Sequence, residues 1–271
     1  MIEEIFLRLL FGGAVGFAIG LTSIGGAVFM LPLLTLWLGF TSSEAVGTAS
    51  LYSFAAKVFA GPRHIALNNV DFAVAKRFLI GAVPGNLVVT IAINRYMAVH
   101  EQNEQLTDAF QQQLRLSIIA VIFLAVILMT INLIRRSRRT QGEEPAPVQP
   151  GGGSLFASIV LSIVVGAVVG ATAISAVVVV PLMILHFKLP ARYTVGTTVF
   201  TTLVLMLLTS VVYLFGKQID VRTALWMALG SVVGVYFGSR LTGRLPEQQL
   251  RIAVITLVAL AAAMMLIFSG K

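Results

Sequence analysis

The first 40 residues constrain most of what this chain can fold into. The stretch from Ile5 to Phe40, IFLRLLFGGAVGFAIGLTSIGGAVFMLPLLTLWLGF, is apolar almost throughout. Its middle is nevertheless broken by Gly20, Thr22, Ser23, Gly25 and Gly26, and Pro32 follows. One membrane-spanning helix takes about 20 apolar residues, and two take about 40 plus a turn. The stretch fits neither length. It predicts two shorter helices meeting at a Gly/Ser/Thr-rich break inside the bilayer. Unpaired N–H and C=O groups in lipid cost several kcal/mol each, so such a break persists only where protein buries it or a wet cavity lines it. A second segment of this kind, 154–188, is interrupted at Gly170-Ala-Thr172-Ala-Ile174-Ser175.

Composition places the whole chain in lipid. Of 271 residues, 58% are hydrophobic and 11% charged, with a mean hydropathy of +0.94, the balance of a polytopic membrane protein and of no soluble domain. The formal charge of +8 is concentrated where Arg135, Arg136, Arg138 and Arg139 abut an apolar span. That placement reads as a cytoplasmic loop, not as a nucleic-acid surface. The lack of cysteine removes disulfides, thiol redox chemistry and Cys metal sites. The first apolar segment has no basic n-region and no small-residue cleavage site, so it is expected to be retained and not to be a signal peptide.

The expected fold is an all-α polytopic membrane protein of two inverted-topology repeats. The first repeat, 1–134, comprises a re-entrant hairpin over 5–40 and helices over 44–62, 71–94 and 113–134. A charged, then Pro-rich, then Gly-rich linker follows over 135–153. The second repeat, 154–271, comprises a hairpin over 154–188 and helices over 193–215, 221–243 and 248–269. The polar segment 96–112 predicts a separate short helix outside the membrane.

The repeat is visible residue by residue. Pro32 and Pro181 differ by 149, as do Val46-Gly47-Thr48 and Val195-Gly196-Thr197. The same offset pairs Asp71 with Asp220, Gly81 with Gly230, Gly85 with Gly234, and Arg95 with Arg244. Upstream it becomes 150, pairing Gly16 with Gly166, Gly20 with Gly170, Thr22 with Thr172 and Ile24 with Ile174. Holding one register through Pro, Asp and Arg is far harder by chance than matching glycines alone. With Arg135–Arg139 inside, the distribution of basic residues favours a second hairpin that turns back over one that crosses. Each half then contains three crossings, the second enters inverted, and both termini lie outside. Inverted repeats with broken helices at the midplane are a recurring transporter architecture.

The second helix of each hairpin should begin near the bilayer centre, at about Gly26 and about Ala176. Free N–H groups and the helix dipole there favour an anion. Thr22, Ser23, Gly25 and Gly26 in the first half, and Thr172, Ser175 and Ala176 in the second, are the candidate cradle. Thr48 and Ser50, with Thr197 and Thr198, stand just inside the next helices at related positions, and Asn86 is the strongest uncharged polar residue within a span. Other features have plainer readings. The small-residue spacing of Gly12, Gly16 and Gly20, and of Gly230, Gly234 and Gly238, suits close helix packing. Intramembrane hydroxyls often bond their own helix. Asp71 and Asp220 fit N-caps, and Lys57, about a turn from its expected helix end, fits a snorkelling role, with a gating or substrate-attracting role as the minority reading. His64 and His186 have no second ligand at metal-like spacing, so no metal or other cofactor is expected. No buried carboxylate pair, His–acid relay, HExxH, P-loop or nucleophile elbow occurs, which argues against an enzyme. An anion channel, and more remotely a membrane-embedded enzyme acting on a sulfonate or lipid, are the alternatives to a carrier.

The pattern G-(x)3-G-(x)4-G-G…P-L-L…V-G-T, echoed as G-(x)3-G…P-L…V-G-T, resembles the TauE/SafE family of sulfite exporters and related anion permeases over both halves. The resemblance implies a multi-pass protein of the bacterial inner membrane with the 135–153 linker in the cytoplasm. It implies export of small sulfur-containing anions such as sulfite, sulfoacetate or related organosulfonates. The hairpin tips, Thr22–Gly26 and Thr172–Ala176, would form the site. Expected partners are that anion and the lipid bilayer, with no nucleic acid; a proton or sodium coupling ion and a homodimer stay open. The second break, ATAISA, departs from the family's Gly-rich pattern, which makes the two tips unequal.

Overall fold

The computed structural model describes residues 2–22, 26–138, 154–242, 256, 259–260 and 263–267. Among these no strand occurs, and the helices in chain order are α1 (Ile2–Thr22), α2 (Ala27–Leu36), α3 (Ser42–Ala66), α4 (Phe72–Val99), α5 (Glu104–Arg138), α6 (Leu155–Thr172), α7 (Ala176–Leu185), α8 (Ala191–Phe215) and α9 (Val221–Thr242). Within α4, α6, α8 and α9 lie stretches long and apolar enough to cross a membrane. Most of the expected last helix, 248–269, lies outside the described residues.

The distribution of side chains is that of a protein solvated by lipid. Large apolar groups such as Val88, Leu229, Val233 and Phe237 face outward, while Thr48, Asn86, Thr197, Thr201 and Thr209 are fully buried. Polar groups without water must find partners inside the bundle.

Both broken segments are hairpins, but their arms are unequal. The 21 residues of α1 are long enough to cross the hydrocarbon core at about 1.5 Å per residue, whereas α2, with 10, reaches about halfway. The second hairpin pairs an 18-residue arm with one of 10 residues. The two shorter helices expected from the sequence are thus one long arm and one half arm. Each hairpin is closed at its base. The rings of Phe11 and Trp37 meet edge to face at 5.9 Å, and Ser158 Oγ lies 2.8 Å from His186 Nε2. Pro32 and Pro181 sit inside the half arms, where each removes one backbone donor.

Two other expectations change. The separate helix expected over 96–112 is divided between the end of α4, a turn over 100–103 and the start of α5, a continuous helix of 35 residues. Nothing in EQLTDAFQQQLRL breaks a helix, and Asn103 Oδ1 accepts the Leu106 N–H at its start (3.2 Å). The helix expected to end at residue 62 continues through Pro62 to Ala66, because a proline removes one donor without forbidding the next turn. Its start is set by a capping box in which Thr41 and Glu44 satisfy each other's backbone N–H groups.

The halves are interlocked. The most extensive contacts join α1 to α9 and α6 to α4, one from each half, and α3 to α8. A Cβ on Gly12, Gly16, Gly230 or Gly234 would run into the backbone of the facing helix, as would one on Gly81, Gly85 or Gly166. These glycines let backbones touch where lipid supplies no hydrophobic drive for association. Six of these glycines fall into pairs with the roles of the halves exchanged: Gly16 with Gly166, Gly81 with Gly230, and Gly85 with Gly234.

Candidate functional site

The half arm α7 begins inside the protein. Thr172 Oγ1 bonds its own helix at the Val168 carbonyl (2.7 Å) and accepts the Ile174 N–H (3.2 Å). Ala173 closes α6 in the left-handed conformation (φ 54°), with its N–H on the Val169 carbonyl. An L-residue pays about 1 kcal/mol for that conformation, so the break is held open by its surroundings. The Ser175 carbonyl accepts the Val178 and Val179 N–H groups (3.2 and 2.9 Å). The N–H groups of Ala176 and Val177 therefore precede the first intrahelical acceptor.

Side chains from three other helices converge there. Lys57 of α3 extends its Nζ to within 3.2 Å of Ser175 Oγ. Asn86 of α4 donates through Nδ2 to Thr209 Oγ1 of α8 (2.9 Å), and a Cβ on Gly170 would lie 3.0 Å from that same nitrogen. The Tyr213 hydroxyl lies 3.5 Å from the Gly170 carbonyl. Ser175, Asn86, Thr209 and Tyr213 are each no more than 3% exposed.

Of the sequence-derived candidates, Thr172, Ser175, Ala176 and Asn86 thus belong to one neighbourhood. At the first break, Ser23 and Gly25 lie outside the described residues, as does the side chain of Thr22. Gly26 is buried at the start of α2, and a Cβ there would meet Ile19 Cδ1 at 2.6 Å and Tyr52 Cε1 at 3.0 Å.

The remaining candidates sit elsewhere. Thr48 Oγ1 accepts the Asp220 N–H (3.1 Å), and Thr197 Oγ1 accepts the Asp71 N–H (2.9 Å). Gly47 and Gly196 bring their helices against the Gln218 and Asn69 carbonyls. The two V-G-T motifs therefore stitch each half to the loop opening α9 or α4 in the other. Asp71 and Asp220 cap those helices at Val74 and Thr223 N–H (3.0 and 2.9 Å). Ser50 Oγ is turned to the Gly47 carbonyl (2.6 Å), and Thr198 Oγ1 is buried without a partner. A Thr48→Val or Thr197→Val variant orphans a backbone N–H and is expected to lose about 1–3 kcal/mol of stability. Thermal unfolding in detergent checks this, and an unshifted midpoint in both variants would refute the stitch.

Sequence reasoning missed Thr209 and Tyr213, and gave Lys57 a gating or substrate-attracting role only as a minority reading. For Lys57 the signal was an ionisable group in an apolar span, obscured by reading Pro62 as a helix end. Lys57 stands nine residues before Ala66, about 13 Å along the axis, and its Nζ is turned to Ser175. Among the described residues no group of His, Asp or Glu is arranged to hold a metal ion. A groove of about 590 Å³, lined by Phe72, Lys76, Ile80, Pro84 and Phe200 among others, contains none of the break residues.

Comparison with known proteins agrees with this architecture. A family model described as "Sulfite exporter TauE/SafE" matches residues 8–265. The "Probable membrane transporter protein YjnA" of Bacillus subtilis (strain 168) is 26% identical over 251 residues, covering 92% of this chain and 95% of that protein. No solved structure matches.

Proposed function

This chain belongs to the TauE/SafE family of sulfite exporters, and we propose that it is a secondary transporter moving small sulfur-containing anions outward across the bacterial inner membrane. The substrates are sulfite and organosulfonates of the sulfoacetate kind, bound at the tips of the broken helices. The halves act in opposite orientations, so that rocking one against the other exposes the site to each side in turn. The observation that carries this reading is that α2 and α7 begin at buried residues, Gly26 and Ser175. A helix start inside the protein presents unpaired N–H groups and the positive end of a dipole, which suit an anion. The exchanged contacts of α1 with α9 and α6 with α4 support movement of paired bundles. The first half arm faces Tyr52 and the second faces Lys57, which supports two unequal tips.

Binding to the purified protein tests the anion claim. A ligand confined to the folded state stabilises it by about 2.7 kcal/mol at a hundredfold excess over its dissociation constant. Sulfite or sulfoacetate is expected to raise the melting temperature by several degrees where chloride does not. A monodisperse protein whose melting is indifferent to all of these anions would contradict the proposal.

A further inference from the structure

We propose that Lys57 is the counter-charge of the transported anion where that anion meets the second break. This deepens the transporter reading above and rests on it. Gly47 of α3 lies against Gln218, and Gly61 lies against Leu203 of α8. The two helices are therefore antiparallel, and Lys57 is about level with Leu207 and Leu208, near the middle of the pair. An ammonium at such depth is costly unless something compensates it. Among the described residues no carboxylate lies within 4.0 Å of Lys57, and the only ion pair joins Arg8 to Asp220. The described acids, Glu3, Glu4, Glu44, Asp71, Glu101, Glu104, Asp108 and Asp220, all stand at helix starts or in the turn and first turns around α5.

Ser175 takes one of the three ammonium protons. An oxyanion seated between Nζ and the start of α7 would accept from the other protons, from the Ser175 hydroxyl, and from the Ala176 and Val177 N–H groups. That set matches a small oxyanion head such as a sulfite or a sulfonate. The repeat offset of 149 pairs Lys57 with Met206, which is apolar and fully buried. The first break therefore has no equivalent cation on α8. One cation favours one anionic head per site; a second carboxylate on the substrate would gain nothing from Lys57.

The test measures dissociation constants for sulfite, and for methanesulfonate against sulfoacetate, by thermal shift on purified wild type, K57M, K57R and S175A. K57M is expected to weaken sulfite binding at least 30-fold, S175A about threefold to tenfold, and K57R less than K57M. Methanesulfonate and sulfoacetate should bind wild type within about threefold of each other. Without ligand, K57M should melt at or above the wild-type temperature, because a half-buried charge without a carboxylate partner has been removed; a merely structural lysine would lower it. Should K57M not be monodisperse, K57Q replaces it, keeping polar reach to Ser175 without the charge. Wild type and K57M binding sulfite equally well would overturn this inference and leave the transporter reading standing. Wild type failing to bind any of the anions would overturn both.

Discussion

A Gly166→Leu variant is expected to be nearly absent as folded protein, with the monodisperse yield from membranes down at least tenfold. A Cβ at this position of α6 would lie 2.6 Å from Ala82 Cα and 2.7 Å from the Ala82 carbonyl carbon, both backbone atoms of α4. No side chain can rotate to make room, so the helices themselves must separate. Overpacking of a well-fitted interior costs about 1–3 kcal/mol where neighbours can adjust, and here they cannot. The α4–α6 pair is also one of the main joints between the halves, so the damage is not local. Gly13→Ala is the matched control. Its Cβ would meet only the Gly230 carbonyl, at 3.7 Å, an ordinary contact, and it should accumulate like wild type. Fluorescence-detected size exclusion measures both. Equal yields of Gly166→Leu and wild type would show that the backbone contact is not needed.

Gly26→Ala is expected to behave in the opposite way, folding normally while transporting at least ten times more slowly. The atoms that its Cβ would meet belong to the ends of two side chains, Ile19 and Tyr52. Ile19 can change rotamer, so the stability cost should stay within about 1 kcal/mol. The methyl group would nevertheless stand at the start of α2, between that half arm and Tyr52 of α3, at the tip proposed to hold the anion. Flux per reconstituted molecule, read beside the melting temperature, separates the two effects. Wild-type flux in a folded Gly26→Ala protein would remove the first tip from the transport cycle.

The two glycine predictions differ because identical residue types do different work, and this is where the sequence was least legible. Helix breaks could be read from Gly26, Ser175, Pro32 and Pro181 because lipid tolerates so few interruptions that each one stands out. The roles of the V-G-T motifs were not legible, since a threonine facing a cavity and one bonding the Asp71 or Asp220 N–H look alike in one dimension. Helix ends were misplaced at Pro62, where local propensity yielded to continuation of α3, and at Glu104, where polar residues lengthen α5 without breaking it. Lys57 followed from the first of those errors. Its distance from the helix end, and hence its availability to Ser175, depends on four residues beyond the proline. Thr209 and Tyr213 had no signal of their own, because only the packing of α8 on α3 and α4 brings them to the second break.

The central claim is that these broken helices carry an anion across the membrane, and efflux of sulfite from proteoliposomes tests it most directly. Vesicles loaded with sulfite and containing the purified protein should release it faster than protein-free vesicles. Release should saturate with internal concentration and accelerate when unlabelled sulfite is present outside, as alternating access requires. Release no faster than from empty vesicles would contradict transport, and release that rises without saturation and ignores external sulfite would contradict a carrier.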